Sequence, residues 1–487
     1  MTGSSPEMAP SARNKLIRGD RVELTIDSLA QGGAGVGRAD GFVVFARGGF
    51  PGDRVIAEVT GGKKRFAEAR VVEVIDSGPD RVPERAPHPG AAWQSLRYDA
   101  QLAEKARQVT ESLERLGGFE GFEIEPIIAA GSGHDDPAIW NYRNKLEYSF
   151  GIRDDGSLAL GFHAPGRWDV IEDVDDVVLA SEPANEIRRL VRDWAQEQGL
   201  SPYDRNEQFG FLRLLIIREG RTTDQRMVRL VTTNGELDTD GLVEALGDLA
   251  TSVVWSRSDN PGNALQGTKD RVLTGKKYIE EQILDLRYRI STDAFFQTNT
   301  AQTERLYETA IDYAGLTGRD LVYDLYCGSG TIGIAMAENA GAVWGIEIVQ
   351  SAVEDAAGNA NLNGITNAEF VAGDMRLALP ALIEHAGAPD VVVLDPPRAG
   401  LSAKVVRRVI EAGPKRIVYV SCNPTTLAPN ARQLCDAGYE LKRVRPVDMF
   451  PHTPHIECVA QIDLVDDDRR LAAIEERVEE RRAKSKK

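Results

Sequence analysis

A cysteine stands where an apolar segment of the chain ends. Residues 417–425 read IVYVSCNPT, a run typical of a buried strand that stops at Ser421 and is followed by Cys422, Asn423 and Pro424. A thiolate at such a strand end can act as a covalent nucleophile. An isolated cysteine is equally often a small apolar residue that closes a core. The residue types leave both interpretations open, and the surrounding motifs have to distinguish them.

An apolar segment also leads into a glycine turn earlier in the chain. The stretch DLVYDLYCGSGTIG places Gly328 and Gly330 between a strand and a helix, where glycine lets the backbone approach a ligand and the helix N-terminus favours a polar group. The next two strand-like segments end near Glu347 and Asp374, which are placed to bond ribose hydroxyls and an adenine edge. Because the turn is not G-x-G-x-x-G, S-adenosylmethionine is favoured over a nicotinamide dinucleotide.

A fourth strand-like segment ends in LDPPR. Methyltransferases that modify the amino groups of adenine and cytosine place an aromatic residue after the two prolines to stack the base, and here Arg398 occupies that place. Amino methylation is therefore disfavoured. Strands alternate with helical stretches from about Tyr278 to Leu464, which predicts an open α/β sheet. Ligands bind at the carboxyl edge of such sheets, where Cys422 is expected.

Five motifs together resemble one enzyme family. FFQTNTAQTE, DLYCGSGTIG, LDPPRAGL, VSCNPTTLA and HTPHIECVAQI occur in the order, and with the approximate spacing, of the RNA uracil-5-methyltransferases. The first part of the chain, with GGAGVGR, GFPGD and KKRFAEARVVEV, resembles a TRAM domain, an OB-like RNA-binding barrel. The resemblance is nearly full length and is nearest to the TRAM-bearing 23S rRNA (uracil-5-)-methyltransferases.

The resemblance implies an α/β enzyme of the class I S-adenosylmethionine-dependent type that methylates uracil C5 in RNA. Uracil C5 is a poor carbon nucleophile until a thiolate adds to C6. By resemblance, Cys422 is that nucleophile and Glu457 is the base that removes the C5 proton. The implied cofactor-binding residues are Gln297, Tyr326, Thr331, Glu347, Asp374 and Asp395.

The chain departs from many of these relatives in its cysteines. They carry four cysteines between the barrel and the central domain, spaced to hold an iron–sulfur cluster. The corresponding stretch here, RAPHPGAAWQSLRYDAQ, contains none, so neither an iron–sulfur cluster nor another metal site is expected. The cysteines other than Cys422 are interpreted as packing residues: Cys327, Cys435 and Cys458.

The 487 residues suffice for several domains. We predict a disordered N-terminus over 1–18, a TRAM barrel over 19–76, a linker and central α+β RNA-binding domain over 77–289, a methyltransferase domain over 290–465 and a charged tail over 466–487. Strand-borne cations of the central segment either line an RNA groove or lie scattered on the surface. They are Arg143, Lys145, Arg213, Arg218, Arg226 and Arg229.

Composition restricts the partners. The net charge of −17 makes RNA contact dependent on local clusters of cations. Without an apolar run of about eighteen residues, the chain is expected to be cytoplasmic, free of membrane contact and monomeric. The expected partner is RNA, either 23S rRNA or tRNA, with the target uridine flipped out of an unpaired loop. Two alternatives remain: a catalytically silent RNA-binding or ribosome-assembly factor, and a methyltransferase of small molecules or proteins.

Overall fold

The structure is a computed structural model that describes residues 16–39, 41–63, 65–164 and 166–485. The predicted disordered N-terminus lies almost entirely outside those residues. The chain divides into two compact units. One contains residues 1–85, 90–104 and 452–454, and the other contains residues 86–89, 105–451 and 455–487.

The first unit contains a closed barrel of five strands. Buried and exposed residues alternate along the strands, and inward side chains such as Leu24, Val55 and Ala69 fill the interior. The structure thus confirms the predicted N-terminal barrel. The strands are β1 (Arg21–Leu29), β2 (Gly35–Ala39), β3 (Phe42–Arg47), β4 (Arg54–Lys63) and β5 (Phe66–Asp76), in the spatial order β1-β2-β3-β5-β4.

A buried carboxylate explains the GFPGD turn of the barrel. The side chain of Asp53 is fully buried and accepts the backbone N–H groups of Phe50 at 2.6 Å and Gly78 at 2.8 Å. It also forms a 2.7 Å ion pair with Arg81. Charge-assisted bonds of this kind are stronger than neutral ones, so Asp53 fixes both the turn and the segment that follows β5.

A seven-stranded sheet forms the central part of the second unit. It follows helix α1 (Tyr98–Glu111), a π-helical turn at Ser112–Leu116 and the short strand β6 (Glu123–Ile124). The sheet strands are β7 (Lys145–Ile152), β8 (Leu158–Ala164), β9 (Arg167–Glu172), β10 (Leu212–Gly220), β11 (Gln225–Thr232), β12 (Ser252–Arg257) and β13 (Lys269–Thr274), in the order β13-β12-β11-β10-β7-β8-β9.

Two helices cover one face of this sheet. They are α2 (Glu182–Glu197) and α3 (Thr239–Leu246). Apolar residues of α2 such as Val191 belong to the same buried cluster as Tyr148 on β7 and Leu215 on β10. Alternate residues on those strands point to the opposite face, because side chains along a strand alternate between the two sides.

The last part of the second unit is an eight-stranded sheet to which β6 contributes an edge. A hairpin of β14 (Tyr278–Ile283) and β15 (Leu286–Ser291) precedes it. Its other strands are β16 (Leu321–Leu325), β17 (Ala342–Glu347), β18 (Ala368–Ala372), β19 (Val391–Leu394), β20 (Arg416–Ser421), β21 (Tyr439–Val447) and β22 (Glu457–Leu464). The accompanying helices are α4 (Thr300–Ala314), α5 (Thr331–Met336), α6 (Gln350–Leu362), α7 (Met375–Ala386), α8 (Ala403–Ala412), α9 (Pro424–Cys435) and α10 (Asp467–Ser485).

The strand order of this sheet is β18-β17-β16-β19-β20-β22-β21-β6. Strands β16 to β20 are mutually parallel, and β22 runs antiparallel to both of its neighbours, β20 and β21. The order reverses beside β16, and open α/β sheets bind ligands at such a reversal, beyond the carboxyl ends of the strands. The architecture confirms the predicted α/β fold class. The boundaries of the three predicted domains stay predictions.

Candidate active site

The glycine turn lies at the carboxyl end of β16. Tyr326, Gly328 and Gly330 all have positive φ angles, of 67°, 53° and 77°. A Cβ on Gly330 would lie 2.9 Å from Ala356, whereas a Cβ on Gly328 would meet nothing within 4 Å. Gly330 is therefore required by packing, while Gly328 leaves open space at the N-terminus of α5, which suits a polar ligand group.

Two residues of the turn, Thr331 and Cys327, are held by contacts within the protein. The Thr331 hydroxyl lies 2.7 Å from the Tyr307 hydroxyl, and the Tyr288 hydroxyl donates to the Thr331 carbonyl at 3.2 Å. The Cys327 side chain is buried, and a Cβ added at Gly345 would lie 2.8 Å from its sulfur. Burial also raises the pKa of the Cys327 thiol. These contacts support the interpretation of Cys327 as a packing residue.

Acidic residues stand at the ends of the next two strands. Glu347 accepts the backbone N–H of Gly328 at 3.3 Å and those of Ile348 and Val349 at 2.7 Å and 3.0 Å. Asp374 caps α7 by accepting the backbone N–H of Arg376 at 2.9 Å, and the Arg376 guanidinium lowers the pKa of the Asp374 carboxyl to about 2. Both carboxyl groups stand at the carboxyl edge of the sheet.

A further buried carboxylate in the turn region was missed by the sequence analysis. Asp324 on β16 is 1% exposed, and one of its oxygens accepts the Gly333 backbone N–H at 2.9 Å. The other oxygen has no hydrogen-bond partner among the described residues. Burial raises the pKa of Asp324 to about 7, and the charge of Glu347 adds to that shift. An aspartate inside the apolar run LVYDLY was the available signal.

Cys422 and Glu457 are neighbours on adjacent strands. The antiparallel register of β20 and β22 pairs Ser421 with Cys458. Cys422 directly follows Ser421 at the end of β20, and Glu457 directly precedes Cys458 as the first residue of β22. Cys422 is partly exposed, whereas Glu457 is 4% exposed and one of its oxygens has no partner in the described part of the chain. Buried carboxylates without partners are costly and mark functional sites.

Burial sets the ionisation of this pair. It raises the pKa of the Cys422 thiol to about 11, with further upward shifts from Glu457 and Asp395 and a downward shift from Arg398. The pKa of Glu457 is raised well above its usual value by burial and by Asp395. Asp395, directly after β19, has a pKa raised to about 7 by burial and by the charge of Asp324. The Cys422 thiol is therefore mostly protonated at neutral pH, and burial makes the Glu457 carboxylate a stronger base than an exposed one.

The DPPR segment is bonded to the cysteine turn. The carbonyl of Arg398 accepts the Asn423 side-chain amide at 3.1 Å and the Thr426 hydroxyl at 3.4 Å. Its guanidinium lies 3.1 Å from Nδ1 of His455. Burial and Arg398 together lower the pKa of His455 to about 4. A neutral imidazole accepts the Arg398 bond, which holds the cation near the thiol.

The FFQTN segment is hydrogen-bonded to Asn144, the residue that precedes β7 of the seven-stranded sheet. Asn144 donates its side-chain amide to the Gln297 carbonyl at 2.9 Å and its backbone N–H to the Thr298 carbonyl at 2.9 Å. Gln297 is buried, whereas Phe295 is 66% exposed. Asn144 was missed because it lies about 150 residues before the segment that it holds, and no sequence motif announces it.

Two of the cations proposed for an RNA groove also hold this segment. Arg218 is 5% exposed and donates to the Ala294 carbonyl, and Arg229 is 1% exposed and donates to Asp293 at 2.6 Å. For Arg218 and Arg229 both predicted positions, a groove and an open surface, are wrong. A buried guanidinium needs acceptors inside the protein, and these two have been placed where they connect the sheets.

The predicted site residues other than Gln297 lie along one edge of the eight-stranded sheet; Glu457 reaches that edge because β22 runs antiparallel to β20. Gln297 precedes α4, and Glu457 begins β22. No group of three or more histidine, cysteine or acidic side chains is placed to hold a metal ion within the described ranges. Nor is any described helix long and apolar enough to cross a membrane.

Comparisons with known proteins identify the family. A family model described as tRNA (Uracil-5-)-methyltransferase matches residues 264–463, and the TRAM domain model matches residues 15–72. An uncharacterized RNA methyltransferase of Halalkalibacterium halodurans is 39% identical over 94% of this chain and 99% of its own. The chain belongs to the uracil-5-methyltransferase family of RNA methyltransferases.

Further relatives agree with this assignment. An uncharacterized RNA methyltransferase of Chlorobaculum tepidum is 38% identical over 91% of this chain and 96% of its own. The crystal structure of the Pyrococcus abyssi tRNA (uracil-54, C5)-methyltransferase in complex with S-adenosyl-L-homocysteine has a TM-score of 0.73 and 31% identity, over 91% of this chain and all of that one. The enzyme is therefore S-adenosylmethionine-dependent.

The residues present fit that cofactor. Gly328 leaves room at the N-terminus of α5, and Glu347 is the last residue of the adjacent strand β17. The carboxylate beside the glycine turn suits ribose hydroxyls, which donate hydrogen bonds to it.

Proposed function

We propose that the enzyme methylates C5 of a uridine in RNA, with Cys422 as the covalent nucleophile and Glu457 as the base. The supporting observation is that the register of β20 and β22 makes the two residues neighbours at the carboxyl edge of the sheet. Bound S-adenosylmethionine supplies an electrophilic methyl group. The proposed cofactor-binding residues are Gln297, Tyr326, Thr331, Glu347, Asp374 and Asp395.

In the proposed reaction the Cys422 thiol loses its proton to water and its sulfur bonds to uracil C6. The electron pair of the C5=C6 bond moves towards C5 and the O4 carbonyl, which makes C5 nucleophilic. After C5 has been methylated, Glu457 takes the C5 proton. The electron pair then re-forms the C5=C6 bond, and the carbon–sulfur bond breaks to release the Cys422 thiolate.

Electrostatics assign different roles to the surrounding residues. Arg398 is the cation that lowers the pKa of the Cys422 thiol, so it stabilises the thiolate both before addition and on release. Asp395 has a pKa of about 7, so it can accept or donate a hydrogen bond at neutral pH. This suits a bond to either the uracil or the amino group of the methionine part of the cofactor.

We propose a uridine of 23S rRNA as the substrate, because the TRAM barrel resembles that branch of the family. A tRNA uridine is the second candidate, since the Pyrococcus abyssi relative of known structure is a tRNA methyltransferase. In both cases the base must leave its stack to reach the thiol, and this favours an unpaired loop nucleotide.

The test is methyl transfer from tritiated S-adenosylmethionine to RNA from cells that lack the gene. After separation of rRNA from tRNA, nucleoside analysis should give 5-methyluridine in the large-subunit rRNA. The same nucleoside in tRNA would transfer the substrate proposal to tRNA.

The matched variants in this assay are Cys422→Ala and Cys435→Ala. The first should abolish transfer, and the second, on the buried side of α9, should retain it. Full activity of Cys422→Ala would overturn the mechanism, and absence of transfer by the unaltered protein would favour a silent binding factor.

A further inference from the structure

The seven-stranded sheet has a hollow on the face opposite α2 and α3. Its floor is a row across three strands, since Leu214 on β10 pairs with Ser149 on β7, which in turn pairs with Gly161 on β8. The small side chain of Ser149 leaves space above the sheet, whereas the backbone of Glu172 covers Gly161. We call the largest opening there the sheet cavity; it has a volume of about 540 Å³ and is lined by Ser149, His163, Tyr203, Arg205, Arg213 and Leu214 among others.

A buried cation faces the sheet cavity without full compensation. Arg213 is only 6% exposed, and its Nη1 donates to the Ser258 carbonyl at 2.9 Å. Its Nη2 is buried and has no hydrogen-bond partner among the described residues. Leaving a charged donor unsatisfied costs more than leaving a neutral one. A ligand that accepts a hydrogen bond from Nη2 would remove that cost.

A second cation stands at the rim. Arg205 is exposed, forms no ion pair with any described residue, and lies close enough to disfavour the charged state of Arg213. The Asp259 carboxylate favours the charged state of Arg213 and offsets part of the repulsion between the two guanidinium groups, and an anion between them would offset more of it. Three carboxylates also line the cavity, those of Asp154, Asp169 and Asp204. Two of them are engaged within the protein, since Asp204 accepts the Asn206 backbone N–H at 2.7 Å and Asp169 pairs with Arg167 at 2.8 Å.

Aromatic rings line the sheet cavity and a second opening that shares Tyr203 with it. The Arg213 guanidinium lies 4.6 Å from the ring centroid of Tyr203. Tyr203 also lines a second opening of about 410 Å³, the loop cavity, together with Phe209 and Phe211. The Phe209 ring is 76% exposed. An exposed ring beside unpaired cations is the combination that binds single-stranded nucleic acid, since bases stack on the ring and phosphates contact the cations.

We propose that the sheet and loop cavities hold an unpaired stretch of the RNA substrate, with a phosphate against Arg205 and Arg213 and a base stacked on Phe209. The inference rests on the proposed function, because it takes RNA as the substrate. The larger cavity lies within the roughly 300–1,000 Å³ typical of ligand sites. The site belongs to the seven-stranded sheet, so it binds RNA at nucleotides other than the one that reacts at Cys422.

The test compares two double variants of the full chain. Arg205→Ala/Phe209→Ala removes one rim cation and one exposed ring, neither of which supports the core. The control Lys404→Ala/Leu471→Ala removes one exposed cation and one exposed apolar side chain, from α8 and α10. The first should raise KM for RNA at least tenfold, corresponding to about 1.4 kcal/mol, without changing KM for S-adenosylmethionine. The second should change neither.

Crosslinking makes the result independent of turnover. Large-subunit rRNA and tRNA transcripts substituted with 4-thiouridine are irradiated with the unaltered enzyme, and the crosslinked peptides are sequenced. Crosslinks within residues 201–213 that are lost in Arg205→Ala/Phe209→Ala support the proposal. Crosslinks confined to other segments, or a KM for RNA equal to that of the control variant, overturn it.

The two proposals fail separately. If the unaltered protein transfers no methyl group to RNA, the proposed function fails, and the crosslinks alone decide whether these cavities bind RNA. If it methylates RNA and both double variants match it, the function stands and the cavities have no part in substrate binding.

Discussion

The Arg229 guanidinium of the seven-stranded sheet and two carboxyl groups of the eight-stranded sheet are all buried, but they are bonded differently. In the seven-stranded sheet the Arg229 guanidinium donates to Ser256, Thr268, Asp270 and Asp293, at 2.6–3.2 Å. Every nitrogen of this buried group has an acceptor. The bonds tie strands β11, β12 and β13 to the segment that carries FFQTN.

In the eight-stranded sheet two buried carboxyl groups lack such partners. One oxygen of Asp324 and one of Glu457 have no hydrogen-bond partner within the described residues. Satisfied buried charges fix a structure, whereas unsatisfied ones are maintained against a cost and are expected where a ligand or a reaction uses them. On the seven-stranded sheet Arg213, Arg218 and Arg257 each have a nitrogen without a partner among the described residues. Arg213 is placed with the functional groups because it also lines the sheet cavity.

The largest expected effect comes from Glu457→Gln. The amide keeps the size of the side chain but cannot take the C5 proton, and loss of a general base typically lowers turnover by about 10²–10⁴-fold. Elimination of the thiol is then blocked, so a covalent RNA–protein adduct should accumulate. Denaturing gel electrophoresis with labelled RNA detects it. Addition of Cys422→Ala to the variant should remove the adduct; an adduct that persists there would assign the nucleophile to another residue.

Arg229→Met tests the buried charge whose nitrogens all have acceptors. Breaking a buried ion pair typically costs about 3–5 kcal/mol, and the free energy of unfolding from urea titration should fall by that amount. The control is Arg167→Met, whose ion pair with Asp169 is largely exposed and should contribute little. If Arg229→Met retained its stability but lost methyl transfer, the distinction between satisfied structural charges and unsatisfied functional ones would fail.

Arg398→Gln should give the smallest effect. The cation lowers the pKa of the Cys422 thiol, so its removal raises that pKa and leaves less thiolate at a given pH. Alkylation of Cys422 by iodoacetamide, followed by mass spectrometry between pH 7 and 10, should become slower by roughly a few-fold and its profile should move to higher pH. Arg432→Gln, on the far part of α9, should leave the profile unchanged. A shift to lower pH would contradict the assigned role of Arg398.

The sequence was informative where a motif and a strand end coincide. The apolar runs before Gly328, Asp395 and Cys422 predicted that these residues lie at one edge of a sheet, because parallel strands share a carboxyl edge. The α/β class, the barrel and the methyltransferase family were predicted and are confirmed. The roles of the individual site residues stay predictions.

Non-local contacts were not predictable in the same way. Asn144, directly before β7, bonds to the FFQTN segment, and Arg218 on β10 bonds to the residue before that segment. Both lie far away in the chain, and no spacing rule connects them to it. The insertion of β22 between β20 and β21 is also non-sequential. Without that insertion, the neighbouring positions of Cys422 and Glu457 could not be derived from their separation in the sequence.

The insertion of β22 also has a mechanical consequence. Cys422 directly follows the last paired residue of β20, and Glu457 directly precedes the partner of that residue on β22. Backbone pairing one residue away therefore restricts the gap between the sulfur and the carboxylate. An aspartate in place of Glu457 would hold its carboxylate roughly one carbon–carbon bond length further back, and the paired backbone of β22 could not shift to compensate. The sheet itself therefore limits how far the distance between the Cys422 sulfur and the Glu457 carboxylate can change during the reaction.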